Sequence, residues 1–163
     1  MNNELIIRNK KEDDNNKILG VVNSFVKNSF TAYQDEPYPP SIVDEWSRKA
    51  RIFLVLETGN EVVGFGFVSS YRPFKSFNHV GVLTYFILQE YTGRGLGTKL
   101  FNRLILKGKN LGITNYLAHI SSKNEGSINF HKKHGFNEVG RFKDMSHKLG
   151  ESVDMLWVQK QFN

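Results

Sequence analysis

Apolar positions recur along the chain in two rhythms. Ile18, Val21, Val22, Phe25 and Val26 fall three and four apart, which predicts an amphipathic helix over residues 11–30. Leu96, Leu100, Phe101, Leu104 and Ile105 repeat that spacing, with Lys99, Asn102 and Arg103 pointing away, and predict a helix over 94–110. Shorter runs bounded by turn residues read as strands: 4–8, 51–57, 61–70, 80–88, 116–120, 136–141 and 153–161. Thr58-Gly59-Asn60 between two of them predicts a hairpin. Two further helices are expected over 41–46, with Ser41 as N-cap, and over 124–134. The prolines of Asp35-Glu36-Pro37-Tyr38-Pro39-Pro40 separate the first two helices. The order β, α, α, β, β, β, α, β, α, β, β mixes hairpins with strand–helix–strand crossovers. It predicts an α/β (α+β) fold built on one mixed sheet.

With 163 residues, one domain over 1–163 is expected; two would each struggle to build a core. The 39% hydrophobic content suffices for a packed interior. The chain has no cysteine, which excludes disulfides, thiolate metal sites and a cysteine nucleophile. The stretch MNNELIIRNKKEDD turns charged early, and no apolar run reaches the length of a membrane span. A cytoplasmic protein without a membrane partner is the expectation.

The net charge of +6 suggests an anionic partner, and its distribution narrows the choice. Between Tyr91 and Gly135 there are eight basic residues against Glu125 alone, whereas Met1–Ser70 has eight basic and ten acidic. The basic stretch opens on Gly93-Arg94-Gly95-Leu96-Gly97-Thr98, between a predicted strand and a predicted helix. A helix start offers unpaired N–H groups and a positive dipole end, and glycines let backbone approach a phosphate closely. The turn is therefore a candidate anion cradle, with a plain structural turn as the alternative. It matches neither the Walker pattern nor the dinucleotide fingerprint, because the glycine spacing differs from both. Basic residues form no stripe interleaved with aromatics outside this loop, so nucleic acid is not the expected partner.

The stretch Tyr91-Thr92-Gly93-Arg94-Gly95-Leu96-Gly97-Thr98-Lys99-Leu100 resembles the pyrophosphate loop, Gln/Arg-x-x-Gly-x-Gly/Ala, of the GNAT N-acetyltransferase superfamily. Thr92 stands where that pattern has Gln or Arg. Residues 124–136, Asn124 through His131 to Gly135-Phe136, resemble the superfamily's Asn-x-x-(Ala/Ser)-x-x-x-(Tyr/His)-x-x-x-Gly-Phe segment. Within it the chain looks most like the phosphinothricin acetyltransferase branch, on Glu36-Pro37, Trp46, His131 and Arg141.

The resemblance implies a single GNAT-like domain with a mostly antiparallel sheet flanked by helices. It implies transfer of an acetyl group from acetyl-CoA, without a metal, to the primary amine of a small molecule by direct attack in a ternary complex. A non-catalytic acyl-CoA-binding or regulatory module of the same fold is the alternative. Thr92, Gly93, Arg94, Gly95, Leu96, Gly97 and Thr98 would hold the pyrophosphate, with Asn124 and Ser127 also on the cofactor. Phe86 and Leu88 would pair by backbone with the pantetheine arm, and an N–H near Phe86 or Ile87 would face the oxyanion. His131 would protonate the leaving thiolate, as a tyrosine usually does in similar proteins. The branch's Glu-x-Ser-x-Tyr-x strand aligns with Val82-Leu83-Thr84-Tyr85-Phe86-Ile87, so its glutamate is replaced by Val82. The base is then Glu36, Asp35 or a water chain near His79. Phe30, Tyr33, Tyr38, Phe65, Phe67, Tyr71 and Tyr85 are candidates for the acceptor pocket or for packing. Free edge strands could support a homodimer.

Overall fold

A computed structural model describes residues 4–163; residues 1–3 of the expected domain lie outside it. Seven strands form one sheet: β1 (Leu5–Asn9), β2 (Ala50–Thr58), β3 (Glu61–Ser70), β4 (Val80–Ile87), β5 (Asn115–Ser121), β6 (Asn137–Lys148) and β7 (Glu151–Gln161). Their spatial order is β1-β2-β3-β4-β5-β7-β6. Every pairing is antiparallel except β4 with β5. That parallel ladder joins Val80, Gly81 and Val82 to Asn115, Tyr116 and Leu117. Beyond it β4 continues to Ile87 and β5 to Ser121, and the two strands part.

Four helices cover the two faces: α1 (Asn15–Asn23), α2 (Ser41–Lys49), α3 (Leu96–Asn110) and α4 (Glu125–Lys133). Ile18, Val21 and Val22 of α1 and Val43 of α2 pack on Val55, Phe65 and Phe67 of one sheet face. Leu100, Phe101 and Leu104 of α3, with Ile128 and Phe130 of α4, pack on Leu54, Leu83 and Ile120 of the other. Each face thus supplies the period-two partner that an amphipathic helix needs.

The helix expected over 11–30 is shorter. A 3-10 turn, Glu12–Asp14, leads into α1, which ends at Asn23. The Ser24 hydroxyl bonds back to the Val21 carbonyl, and Asn23 holds the backbone of Tyr38 through both its side-chain donor and its acceptor. Phe25 and Val26 remain buried as the periodicity requires, but in tight turns rather than helix. Pro40, not Ser41, caps α2, and Ser41 makes no capping bond. The last hairpin is longer than expected because Leu149 and Gly150, both at positive φ, make a tight turn that suits strand twist.

Arg8 ties the sheet edge together. Its guanidinium bonds both carboxylate oxygens of Asp14, at 2.8 and 2.9 Å, and Glu57 on β2. Asp14 is almost fully buried and also accepts the Lys11 N–H at 2.7 Å.

On α3, Gly108 lies against Tyr116 of β5. A Cβ there would stand 1.9 Å from the Tyr116 hydroxyl oxygen, itself buried without a hydrogen-bond partner. Alanine normally stabilises a helix over glycine by about 1 kcal/mol, but overpacking costs about 1–3 kcal/mol. Gly108→Ala is therefore expected to destabilise in urea titrations. Tyr116→Phe, which removes the orphaned hydroxyl, is expected to be neutral or stabilising.

Candidate active site

The glycine-rich turn follows a 3-10 turn, Gln89–Tyr91, and runs straight into α3. Gly93 and Gly95 have φ of +73° and +75°, with open space where a Cβ would stand. A side-chain-free backbone can adopt that conformation and lie against a ligand. The first intrahelical donor is the Lys99 N–H, bonded to the Gly95 carbonyl at 3.1 Å, so the N–H groups of Leu96, Gly97 and Thr98 precede the helical ladder. Gly97 also admits Phe130 of α4, whose ring would be 3.2 Å from a Cβ there. That contact closes the groove floor between α3 and α4.

A groove of about 530 Å³ runs from this loop along β4. Of the residues expected at the cofactor, Phe86, Ile87, Thr92, Gly93, Gly95, Gly97, Thr98, Asn124 and Ser127 line it. Arg94 turns outward and places its guanidinium over the Tyr91 ring, and Leu96 packs into the core. Leu88 cannot pair with a pantetheine arm as expected. Its N–H is bonded to the Val63 carbonyl and its own carbonyl to Tyr91 N–H. Hydrogen-bonding direction alternates along an antiparallel strand, so Phe86, two residues earlier and opposite Phe65, also directs its backbone toward β3. Tyr85 and Ile87 face the parting between β4 and β5 instead. Ile87, not Phe86, therefore directs its N–H into that parting. Lys133 and Gln89 also border the groove. Sequence reasoning missed both, although Lys133 lies within the recognised α4 segment.

A second cavity, of about 220 Å³, adjoins it. It is walled by Tyr33, Tyr38, Trp46 and Phe67, by Thr84 on β4 and by His119 on β5. Tyr38 meets Trp46 edge-on at 5.4 Å, and Trp46 lies 5.5 Å from Phe67. Of the aromatics proposed from sequence, Tyr33, Tyr38, Phe67 and Tyr85 line this cavity. Phe65 is core and Tyr71 packs on Phe77 at the surface. The Tyr33 hydroxyl is buried without a partner, and burial raises its pKa. The loop carrying Tyr33 is pinned from beneath by Lys148, a buried lysine that donates to the Ala32 carbonyl. Burial lowers the Lys148 pKa.

The two cavities share Thr31, Tyr85, Phe86, Asn124 and Ser127, and so meet where β4 and β5 part. His131 of α4 sits at this junction, 2% exposed. Its Nδ1 lies 2.7 Å from the Ser127 carbonyl, an acceptor, so Nδ1 carries the proton. Its Nε2 is then an acceptor, and the Tyr85 hydroxyl donates to it. Burial lowers the His131 pKa to about 4, so the ring is neutral at physiological pH. His134, one turn on, is committed elsewhere: Nδ1 to the Phe130 carbonyl and Nε2 to Thr98 at the start of α3. Asn124 caps α4 by accepting the Ser127 N–H, which leaves its amide group toward the groove. Glu36, expected as the base, is exposed and borders neither cavity; the same holds for Asp35 and His79. Loop proximity in sequence did not translate into access to the junction.

Residues 13–136 match the Acetyltransferase (GNAT) family. The chain belongs to the GNAT acetyltransferase family. Its relatives include an L-methionine sulfoximine/L-methionine sulfone acetyltransferase of Pseudomonas aeruginosa, 27% identical and aligned over 87% of this chain and 86% of the relative. A phosphinothricin N-acetyltransferase of Streptomyces coelicolor is 23% identical over 96% of both chains. The crystal structure of a GNAT superfamily phosphinothricin acetyltransferase from Sinorhizobium meliloti, in complex with acetyl-CoA, superposes with a TM-score of 0.88 at 21% identity. It covers 98% of this chain and 89% of its own, and at that identity the likeness is one of fold. This GNAT chain thus has the sheet, the glycine loop and the α4 segment in the family's order.

Proposed function

We propose that this GNAT protein is an acetyl-CoA-dependent N-acetyltransferase acting on the primary amine of a small molecule. The observation that carries the reading is the meeting of two cavities at the β4–β5 parting. One begins at a backbone anion cradle and the other is a small aromatic chamber. A thioester laid along the groove with its pyrophosphate at residues 93–98 brings its acyl end to the junction. An amine in the aromatic chamber reaches that point from the second cavity. The chain has no cysteine to carry the acetyl group, which favours direct transfer between the two ligands.

The residues fit this division of labour. Helix-start N–H groups and Lys133 suit the phosphates, and the Ile87 N–H suits the oxyanion. The orphaned Tyr33 hydroxyl offers the acceptor a hydrogen bond that the protein leaves unmade. Proton transfer belongs to the junction, where His131 of α4 meets the Tyr85 hydroxyl. The named activities of the relatives make methionine sulfoximine and phosphinothricin the first acceptors to try. No helix among the described residues is long and apolar enough to cross a membrane, and we assign the chain to the cytoplasm.

The test pairs calorimetry with a thiol-release assay. Acetyl-CoA is expected to bind stoichiometrically, and free thiol is expected to appear only when a primary amine is present. Binding without thiol release across a broad amine panel would favour the non-catalytic module instead.

A further inference from the structure

The transfer moves one proton from the attacking nitrogen to the departing sulfur, and Val82 stands where the related branch has a glutamate. Among the described residues no acidic side chain lines either cavity. The titratable groups at the junction are Tyr85 from β4, His131 from α4 and Tyr33 from the loop after α1, with Lys133 in the groove and Tyr38 and His119 in the chamber. His134 packs nearby but is bonded to Thr98 and Phe130. Of these, Tyr85 and His131 are joined to each other, and Tyr85 lines both cavities whereas His131 lines the acceptor chamber.

We infer that Tyr85 is the catalytic residue that faces the reacting atoms, and that Tyr85 and His131 together form a proton relay that serves as both base and acid. The inference rests on the transferase reading above. The tautomer sets the direction. With Nδ1–H held by the Ser127 carbonyl, His131 Nε2 takes the Tyr85 hydroxyl proton as a hydrogen bond, which leaves the phenolic oxygen's lone pairs turned to the junction. As the amine nitrogen bonds to the acyl carbon, its N–H proton passes to the Tyr85 oxygen while the Tyr85 proton moves onto His131 Nε2. When the carbon–sulfur bond breaks, its electron pair stays on sulfur. Tyr85 then gives sulfur a proton and recovers its own from His131. The pair ends as it began, and the balance is one proton from nitrogen to sulfur.

The surroundings favour a transient rather than a resting charge. Burial raises the Tyr85 pKa and lowers that of His131, so both groups rest neutral and return the proton readily. The Tyr85 ring is held by Phe130, edge-on at 5.8 Å, and by the His131 ring itself at 5.6 Å. Those contacts fix the hydroxyl without a further polar partner.

The test uses Tyr85→Phe, His131→Asn and the double variant, with an amine that the wild-type protein acetylates. Tyr85→Phe is expected to lower kcat about 100-fold or more while acetyl-CoA affinity by calorimetry stays within about threefold. The double variant is expected to be no slower than the slower single one, because the two residues act as a unit. The pH profile separates this from a structural role. Wild-type kcat is expected to level off toward alkaline pH, whereas the residual rate of Tyr85→Phe keeps rising as hydroxide replaces the relay. A Tyr85→Phe kcat within about threefold of wild type overturns the inference, as does a double-variant loss equal to the product of the two single losses. If Tyr85→Phe fails to fold, His131→Asn alone decides, by whether its profile acquires the alkaline rise. Wild-type protein that binds acetyl-CoA but acetylates no amine overturns both this inference and the transferase reading.

Discussion

Replacing Gly95 by valine is expected to abolish useful acetyl-CoA binding while leaving the chain folded. Gly95 sits at φ +75°, ψ +5°, immediately before α3. A β-branched residue pays about 1–2 kcal/mol to stay in that left-handed region. Relaxing out of it rotates the peptide that aims the first helical N–H groups. A side chain would also stand in the open space through which a pyrophosphate must approach. We expect the acetyl-CoA Kd to rise about 100-fold or more, from the loss of several charge-assisted hydrogen bonds. Arg94→Ala is the contrasting variant. The Arg94 side chain already points away over Tyr91, so its loss should cost less than about tenfold and should fade with added salt. Calorimetry at two ionic strengths separates the two, and equal losses in both variants would show that charge, not backbone, holds the phosphates.

The largest effect on stability is expected from Arg8→Met. Asp14 is 4% exposed, and Arg8 is its cationic partner as well as that of Glu57. Removing the cation leaves a buried carboxylate with the Lys11 N–H for support, a change that costs about 3 kcal/mol. The pH dependence carries a sign. The Arg8 guanidinium, and then the Lys11 N–H, hold the Asp14 carboxyl below its usual range. A carboxyl depressed in the folded state contributes its stabilisation fully above the ordinary aspartate value. That contribution is lost as the pH falls through the lower folded value. In Arg8→Met, burial is opposed by the Lys11 N–H but no longer by the guanidinium, so the Asp14 pKa should rise and the variant can shed its charge. The gap between wild type and variant is therefore expected to be full at pH 7, to begin narrowing as the pH falls through the variant's raised value, and to go on narrowing below about pH 4. Urea titrations across that range measure it, and a gap independent of pH would assign the loss to packing instead.

The part of the candidate site that a sequence can display is local. The glycine loop and the start of α3 are contiguous, so residue type and helical periodicity together suffice to mark a candidate anion cradle. The acceptor chamber is different in kind. It is assembled from the loop after α1, α2, β3, β4, β5 and α4, and nothing in the spacing of Trp46, Phe67 and His119 announces that they share a cavity. Tyr85 was visible as an aromatic on a strand, but a strand aromatic reads the same whether it packs or reacts. Its bond to His131, 46 residues later, is what distinguishes it. The glutamate in the proline loop misled for the opposite reason. A carboxylate near the expected pocket looks like a base, yet the clamp between Asn23 and Tyr38 directs the loop so that Tyr33 and Tyr38 face inward while Glu36 faces solvent. The overlong first helix had the same origin. Ser24 offers the backbone a competing hydrogen bond, and a periodic pattern cannot register that.

The parting of β4 and β5 divides the labour of change as well as of chemistry. Tyr85 and Ile87 are borne on a strand of the sheet and His131 on a helix packed against it. One wall of the aromatic chamber, by contrast, is Thr31, Ala32, Tyr33 and Tyr38 of the segment between α1 and α2, held through the Asn23–Tyr38 clamp and the Lys148–Ala32 bond. On the proposed reading, exchanging side chains on that segment would alter which amine is held and would leave the crossing point of the acetyl group where it is. A scaffold of this kind can drift from one acceptor to another without rebuilding its reaction centre.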